Sequence, residues 1–289
     1  MNVPRPVAFT GAGGNRLAAD LWEGGPRVAL LLHGGGQTRH AWEDAARRLA
    51  AAGWTVVSLD QRGHGESAWS ANGHYTFGDF AQDTAAVARE IARRFGRKPV
   101  IIGASLGGIA ALLAEGETGE SLCEALILVD ITPRIDPSGV AKITGFMRRH
   151  AEDGFASLDE AAEAVSAYLS HRRRPASIEG LRKNLRLSPD GRYRWHWDPR
   201  FLDGPRSVST DPKRTEQRTI AAARALRVPT LLVRGGRSEL VAERHAREFL
   251  DLVPQARLVD VSEAHHMVAG DRNDVFTTAV LAFLSELVD

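Results

Sequence analysis

The strongest constraint in this chain is an alternation of short apolar runs with longer segments of helical periodicity. Residues 28–32 precede a helical pattern at 42–52, residues 55–59 precede 80–95, and residues 100–102 lead directly into 106–114. A further apolar run covers 125–129; much later, 230–233 precedes 242–250 and 257–261 precedes a last helix at 275–287. Near-continuous apolar strands are buried on both faces, and strands separated by helices pair in parallel. Right-handed crossovers bring the strand C-termini to one edge, where such sheets bind ligands. The expected fold class is α/β, with a mostly parallel central sheet and helices on both faces.

This rhythm stops between residues 133 and 223. That stretch shows helical patterns at 139–150, 157–171 and 178–187, no convincing strand, an aromatic cluster of Tyr193, Trp195, Trp197 and Phe201, and a Pro- and Asp-rich segment at 198–213. It reads as a helical cap inserted into a core made of residues 1–132 and 224–289, a division that suits a 289-residue chain. The 37 basic and 36 acidic residues leave a formal charge of +1, which gives no general attraction to nucleic acid or an anionic membrane surface. The N-terminus has no signal-like apolar core, and no apolar run is long enough to span a bilayer. The single cysteine, Cys123, excludes an internal disulfide and is expected to be a small buried hydrophobe. A soluble cytoplasmic protein is the expectation.

The candidate chemistry begins at Gly103-Ala104-Ser105-Leu106-Gly107-Gly108, between the strand at 100–102 and the helix at 106–114. A serine on so tight a strand-to-helix turn is a nucleophile elbow; small neighbours let the backbone pass closely, and the helix N-terminus adds positive potential beside the reacting oxygen. His33-Gly34-Gly35-Gly36 ends the strand at 28–32. A glycine-rich turn there exposes N–H groups, one of which, together with the N–H of Leu106, would hold the oxyanion of a tetrahedral intermediate. The spacing offers no H-E-x-x-H or cysteine–histidine metal cluster, and no dinucleotide or Walker-type loop in the required context. No cofactor is expected.

With these motifs in this order, the chain resembles the α/β-hydrolase superfamily, and within it the capped branch of esterases, epoxide hydrolases and C–C bond hydrolases. His33-Gly34 followed by Trp42, and Asp60-Gln61-Arg62-Gly63-His64-Gly65-Glu66-Ser67, match patterns of that branch. The resemblance implies that Gly35 supplies the first oxyanion N–H and that the loop carrying His64 is structural. A serine hydroxyl needs a base, and the resemblance points to His266 in Ala264-His265-His266-Met267; His265 stands where the family has glycine and is the alternative base. Glu239, in Gly236-Arg237-Ser238-Glu239-Leu240-Val241, takes the position of the family's acid, while Asp130, after the strand at 125–129, is the alternative. Asp260, Asp271 and Asp274 carry little catalytic weight. Because the elbow holds serine rather than the aspartate of epoxide hydrolases, acyl chemistry is implied.

The expectation is therefore a cofactor-free, carboxylesterase-like serine hydrolase acting on an ester or lactone of a small, largely apolar molecule. A C–C hydrolase, perhydrolase or acyltransferase using the same residues is the alternative, and a non-catalytic small-ligand receptor is the rival of another class. Gly34, Trp195, Trp197, Phe146 and Met147 are the candidate substrate-binding residues. The basic residues Arg172, Arg173, Arg174, Arg182 and Lys183 read as solvated helix faces, not a nucleic-acid site.

Overall fold

The computed structural model describes residues 3–169 and 179–287. The run Arg172–Arg173–Arg174 and the ends of two expected cap helices lie outside the described residues. Eight strands form one sheet in the order β1-β2-β4-β3-β5-β6-β9-β10. They are β1 Arg5–Thr10, β2 Arg16–Trp22, β3 Arg27–Leu32, β4 Trp54–Leu59, β5 Val100–Ala104, β6 Ala125–Val129, β9 Thr230–Gly235 and β10 Ala256–Val261. β1 and β2 run antiparallel to their neighbours, and every other pairing is parallel. β1 and β2 were not expected from the sequence. β1 is mostly exposed, and the charged Arg16 and Asp20 interrupt the otherwise buried β2, so neither has the continuous apolar character of the parallel strands.

The helices are α1 Glu43–Ala51, α2 Phe77–Phe95, α3 Leu106–Glu117, α4 Pro137–Arg149, α5 Leu158–Tyr168, α6 Glu179–Arg182, α7 Arg200–Asp203, α8 Pro212–Ala225, α9 Glu243–Leu252, α10 Val268–Asp271 and α11 Asn273–Glu286. The pleat sorts the strand side chains between two cores. Leu30, Leu32, Ile101 and Leu128 face one side with residues of α2, α3, α8 and α9; Ala29, Leu31, Ile102 and Val129 face the other with α1 and α11. Both sides are dry, which is why these strands read as unbroken apolar runs. Cys123 is buried beside Glu115, to which its thiol donates. No helix among the described residues is long and apolar enough to cross a membrane.

The segment after β6 leaves the sheet, but it is not purely helical. It holds a short antiparallel hairpin, β7 Leu185–Leu187 and β8 Tyr193–Trp195, where a helix was expected through residue 187. Asp136 caps α4 by accepting from the Ser138 N–H, with Pro137 at the first helical position, and Ser157 caps α5. At the far end, α8 crosses the expected boundary at residue 223. Ala222 and Ala223 lie in the main core, and Gly116 of α3 passes so close that a methyl group there would lie 2.5 Å from the Ala222 carbonyl oxygen. The C-terminal end of α8 therefore packs against α3.

The segment after β6 is tied to the sheet and its loops at several points. Gly65 N–H donates to His196 O at 2.7 Å, Asp198 N–H to Gly63 O at 2.8 Å, and Asp136 N–H to Leu240 O at 2.9 Å. Met147, Phe155, Trp195, Trp197 and Phe201 share one apolar cluster with Tyr75, Phe80, Leu106 and Ala110, so this segment rests directly on the N-terminal part of α3.

Candidate active site

The C-terminal edge of the sheet gathers the candidate residues because their strands are neighbours. β3 and β5 pair, β5 pairs with β6, β6 with β9 and β9 with β10. Ser105 follows β5 at φ 47° and ψ −113°, a conformation L-residues rarely adopt. The turn closes only because glycine flanks it. A methyl group at Gly103 would lie 2.5 Å from Gly107 O, and one at Gly107 would lie 2.4 Å from Leu32 O. Strand, elbow and helix thus pass closer than any side chain allows, and the serine is lifted to the start of α3. Its hydroxyl makes no hydrogen bond to another described residue; such contacts are commonly long until substrate binds.

Asp130 follows β6 directly and is the other strained position here, with φ 50°. Its carboxylate has no exposed surface. Oδ1 accepts from Gly235 N–H at 2.9 Å, and Oδ2 accepts from the Ser238 hydroxyl at 2.5 Å and from His266 Nδ1 at 2.7 Å. Three donors compensate the burial of this group. An imidazole that gives its Nδ1–H to a carboxylate presents an unprotonated Nε2, the form that takes a proton from a hydroxyl.

Glu239, the expected acid, does not meet His266. Its Oε1 accepts from Lys142 of α4 at 2.9 Å, and its side chain is 35% exposed. The partly buried carboxyl is held below its usual range against desolvation, chiefly by the hydrogen bond from Lys142. Asp130, the alternative, is the carboxylate bonded to His266. The physical reason is one of reach. Val129 and Val233 are register partners, so the ends of β6 and β9 are adjacent; the backbone turn at Asp130 sends its side chain under the loop that carries His266, while Glu239 lies four residues beyond β9 and faces the cap.

His265 offers a backbone N–H to Asp271 Oδ2 at 3.0 Å, and its carbonyl crowds Gly235; His266 is the histidine joined to the buried carboxylate. Asp260 pairs with Arg234 at 2.6 Å on the exposed edge of β10, and Asp274 lies beside Arg272 in the first turn of α11.

The loop after β3 completes the edge. Gly34 N–H donates to Gln37 Oε1 at 3.0 Å, and Gly36 N–H to His64 Nε2 at 3.1 Å. Gly107 N–H is taken by His33 O at 3.2 Å. That leaves the N–H groups of Gly35 and Leu106 without a described partner, and a methyl group at Gly35 would lie 4.0 Å from Leu106 Cβ. Gly34 itself approaches Ser105, its own hypothetical methyl lying 3.5 Å from Ser105 Cβ.

His33 and His64 are fully buried supports. Each gives Nδ1–H to a carbonyl, Gly34 O at 2.8 Å and Arg62 O at 2.9 Å, and accepts a backbone N–H at Nε2. Burial lowers both from the ordinary histidine value, His64 to about 3 with His33 beside it adding to the effect. Both rings are therefore neutral and fully committed. The rest of the Asp60–Ser67 loop is likewise structural. Arg62 holds Asp83 through two bonds of 2.7 Å, and Ser67 bridges Asp60 O and Ala18 N–H.

The aromatic and Met candidates for substrate binding divide. Met147 and Trp197 hang over the glycine turn: a methyl at Gly36 would meet Met147 Cε at 2.7 Å and Trp197 Nε1 at 3.6 Å. Phe201 joins them, 3.1 Å from a methyl position at Gly35 and edge-on to His64 at 4.8 Å between centroids. Phe146 and Trp195 pack inside the cap instead, Phe146 stacked on Tyr168 at 4.1 Å and Trp195 edge-on to Phe155 at 5.1 Å. Sequence reasoning did not single out Ser238 or Gln37; nothing in their local pattern separates them from other loop residues.

The fold and this edge define an α/β-hydrolase with a serine at its nucleophile elbow. More narrowly, the chain belongs to the serine aminopeptidase S33 family, whose model matches residues 26–273. It is similar to an esterase of Mycobacterium tuberculosis, 28% identical over 262 residues that cover 89% of this chain and 82% of that protein. It is also similar to a 2-(acetamidomethylene)succinate hydrolase of Mesorhizobium japonicum, 27% identical over 270 residues, 92% of this chain and 90% of that one. Among solved structures, an α/β hydrolase from Novosphingobium aromaticivorans matches with a TM-score of 0.80 at 25% identity, covering 99% of each chain. The chain is a hydrolytic enzyme.

Proposed function

We propose that the protein hydrolyses a carboxylic ester or lactone through an acyl-enzyme, with Ser105, His266 and Asp130 as its triad. The observation that carries this reading is the 2.7 Å bond from His266 Nδ1 to a fully buried Asp130, on the sheet edge that also carries the strained Ser105. Ser105 Oγ attacks the carbonyl carbon as His266 Nε2 takes its proton. The oxyanion is held by the N–H groups of Gly35 and Leu106, and Asp130 stabilises the imidazolium. His266 then gives the proton to the departing alkoxide, and a water activated by the same nitrogen releases the acid and restores Ser105.

The apolar group over the glycine turn, Met147, Trp197 and Phe201, supports a small, largely apolar acyl portion. Phe146 and Trp195 support the cap that holds those residues in place. A cytoplasmic site of action fits the one buried, unpaired cysteine.

The test is a purified Ser105→Ala variant assayed on p-nitrophenyl acetate and probed with a fluorophosphonate. Folded protein with activity at background and no label is expected. Wild-type turnover by the variant would end the assignment.

A further inference from the structure

We infer that Ser238 is a positioning residue of this enzyme: its hydroxyl fixes Asp130 Oδ2, the same oxygen that receives His266. This rests on the reading of Asp130 as the triad acid.

The direction of the bond follows from the donor count. Ser238 Oγ accepts the N–H of Leu240 at 3.0 Å and of Val241 at 3.1 Å. A hydroxyl has two lone pairs and one proton. With both lone pairs engaged, the proton has one acceptor left, Asp130 Oδ2 at 2.5 Å. The hydroxyl therefore cannot rotate away without breaking three bonds at once. It acts as a bracket between the backbone of the loop after β9 and the carboxylate at the end of β6.

The same loop is clamped from above. Asp136 N–H donates to Leu240 O at 2.9 Å, Lys142 pairs with Glu239, and Gly139 of α4 lies so close that a methyl group would be 2.3 Å from Glu239 O. Glu239 thus has a role after all, in seating the cap on the loop that braces its neighbour's partner. The charged groups around this bracket include His266 on the carboxylate itself, Arg234 of β9, which donates to Val241 O at 3.1 Å, and the Glu239–Lys142 pair with His265 nearby on the solvent side.

One effect on the reaction follows. The bracket keeps Oδ2 aimed at His266 Nδ1, so its loss lowers kcat without touching substrate contacts.

The experiment compares Ser238→Ala, Ser238→Thr and Asp130→Asn with the wild type on p-nitrophenyl acetate. For Ser238→Ala we expect kcat about tenfold lower and KM within about twofold, an effect in the range of one hydrogen bond. Ser238→Thr keeps the hydroxyl and should recover most of kcat. Should the alanine variant not fold, Ser238→Cys, of similar volume but a weaker donor, is read in the same way. The proposal is overturned if kcat stays at the wild-type value, if the loss falls on KM instead of kcat, or if threonine is as impaired as alanine. If Asp130→Asn retains wild-type activity, the triad reading falls and takes the proposal with it; a dead Asp130→Asn beside an unaltered Ser238→Ala removes the proposal alone.

Discussion

Asp130→Asn preserves the shape of the side chain while replacing one of its two acceptors with a donor. In the native protein the two carboxylate oxygens take three donors, at 2.5, 2.7 and 2.9 Å, in a site with no exposure. An amide satisfies only one oxygen's worth of them. If its oxygen stays on Gly235, its NH₂ faces His266 Nδ1, which must then accept; the ring proton moves to Nε2, and the base can no longer take the Ser105 proton. A triad histidine held in that wrong tautomer lowers kcat by about 10,000-fold, equivalent to about 5.5 kcal/mol in the barrier. Glu239→Gln removes an ion pair with both partners more than a third exposed. Such a pair is worth at most about 1 kcal/mol of stability, and kcat should stay within about twofold. Initial rates on p-nitrophenyl acetate at saturating substrate, with circular dichroism and a melting curve for each variant, decide the matter. A folded, near-wild-type Asp130→Asn beside an inactive Glu239→Gln would refute the reasoning.

The other predictions concern the turn, the buried histidine and the roof. Gly103→Ala places a methyl 2.5 Å from the backbone oxygen of Gly107; it should cost about 3 kcal/mol and roughly 6–12 °C in Tm by calorimetry, and an unchanged Tm would mean that the elbow is looser than described. His64 stays neutral in the fold down to about pH 3, whereas its unfolded value is 6.5. The unfolded chain therefore binds the extra proton first, and stability is lost as pH falls below 6.5, by about 2 kcal/mol at pH 5. His64→Gln, which keeps an acceptor for Gly36 N–H, should be less stable at pH 8 yet lose less between pH 8 and pH 5; an undiminished loss in urea titrations would show that another group carries it. Trp197→Ala opens space beside Gly36, so the preferred acyl chain in a p-nitrophenyl ester series should lengthen, each methylene that fits gaining about fourfold in kcat/KM from about 0.8 kcal/mol of burial. An unchanged optimum would place the acyl group elsewhere.

Much of this was legible in the sequence, for a physical reason. The elbow at Ser105, the glycine turn at His33–Gly36 and the His266 loop are each built within one short segment, so their geometry is set by residues adjacent in the chain. The acid is not. Asp130 and Glu239 sit past the ends of two paired strands, and which of them reaches His266 depends on a positive φ at Asp130 and on a hydroxyl arriving from Ser238. Neither has a sequence signature. The β7–β8 hairpin was missed because strands of three residues carrying Arg186 and Arg194 show no apolar period; cross-strand pairing, not burial, makes them strands. Helix α8 was not among the expected helices; its residues up to 223 fell in the stretch taken as inserted, although Ala222 and Ala223 at its far end dock on α3.

The central claim is covalent: an acyl group passes through Ser105. Rapid acid quench of the enzyme during turnover of p-nitrophenyl acetate, followed by peptide mass spectrometry, tests it directly. The account predicts one acetyl group on the peptide containing Ser105, accumulating more in Asp130→Asn if deacylation slows further than acylation, and absent from Ser105→Ala. Turnover by the wild type with no adduct on that peptide, or an adduct on another residue that persists in Ser105→Ala, would contradict it.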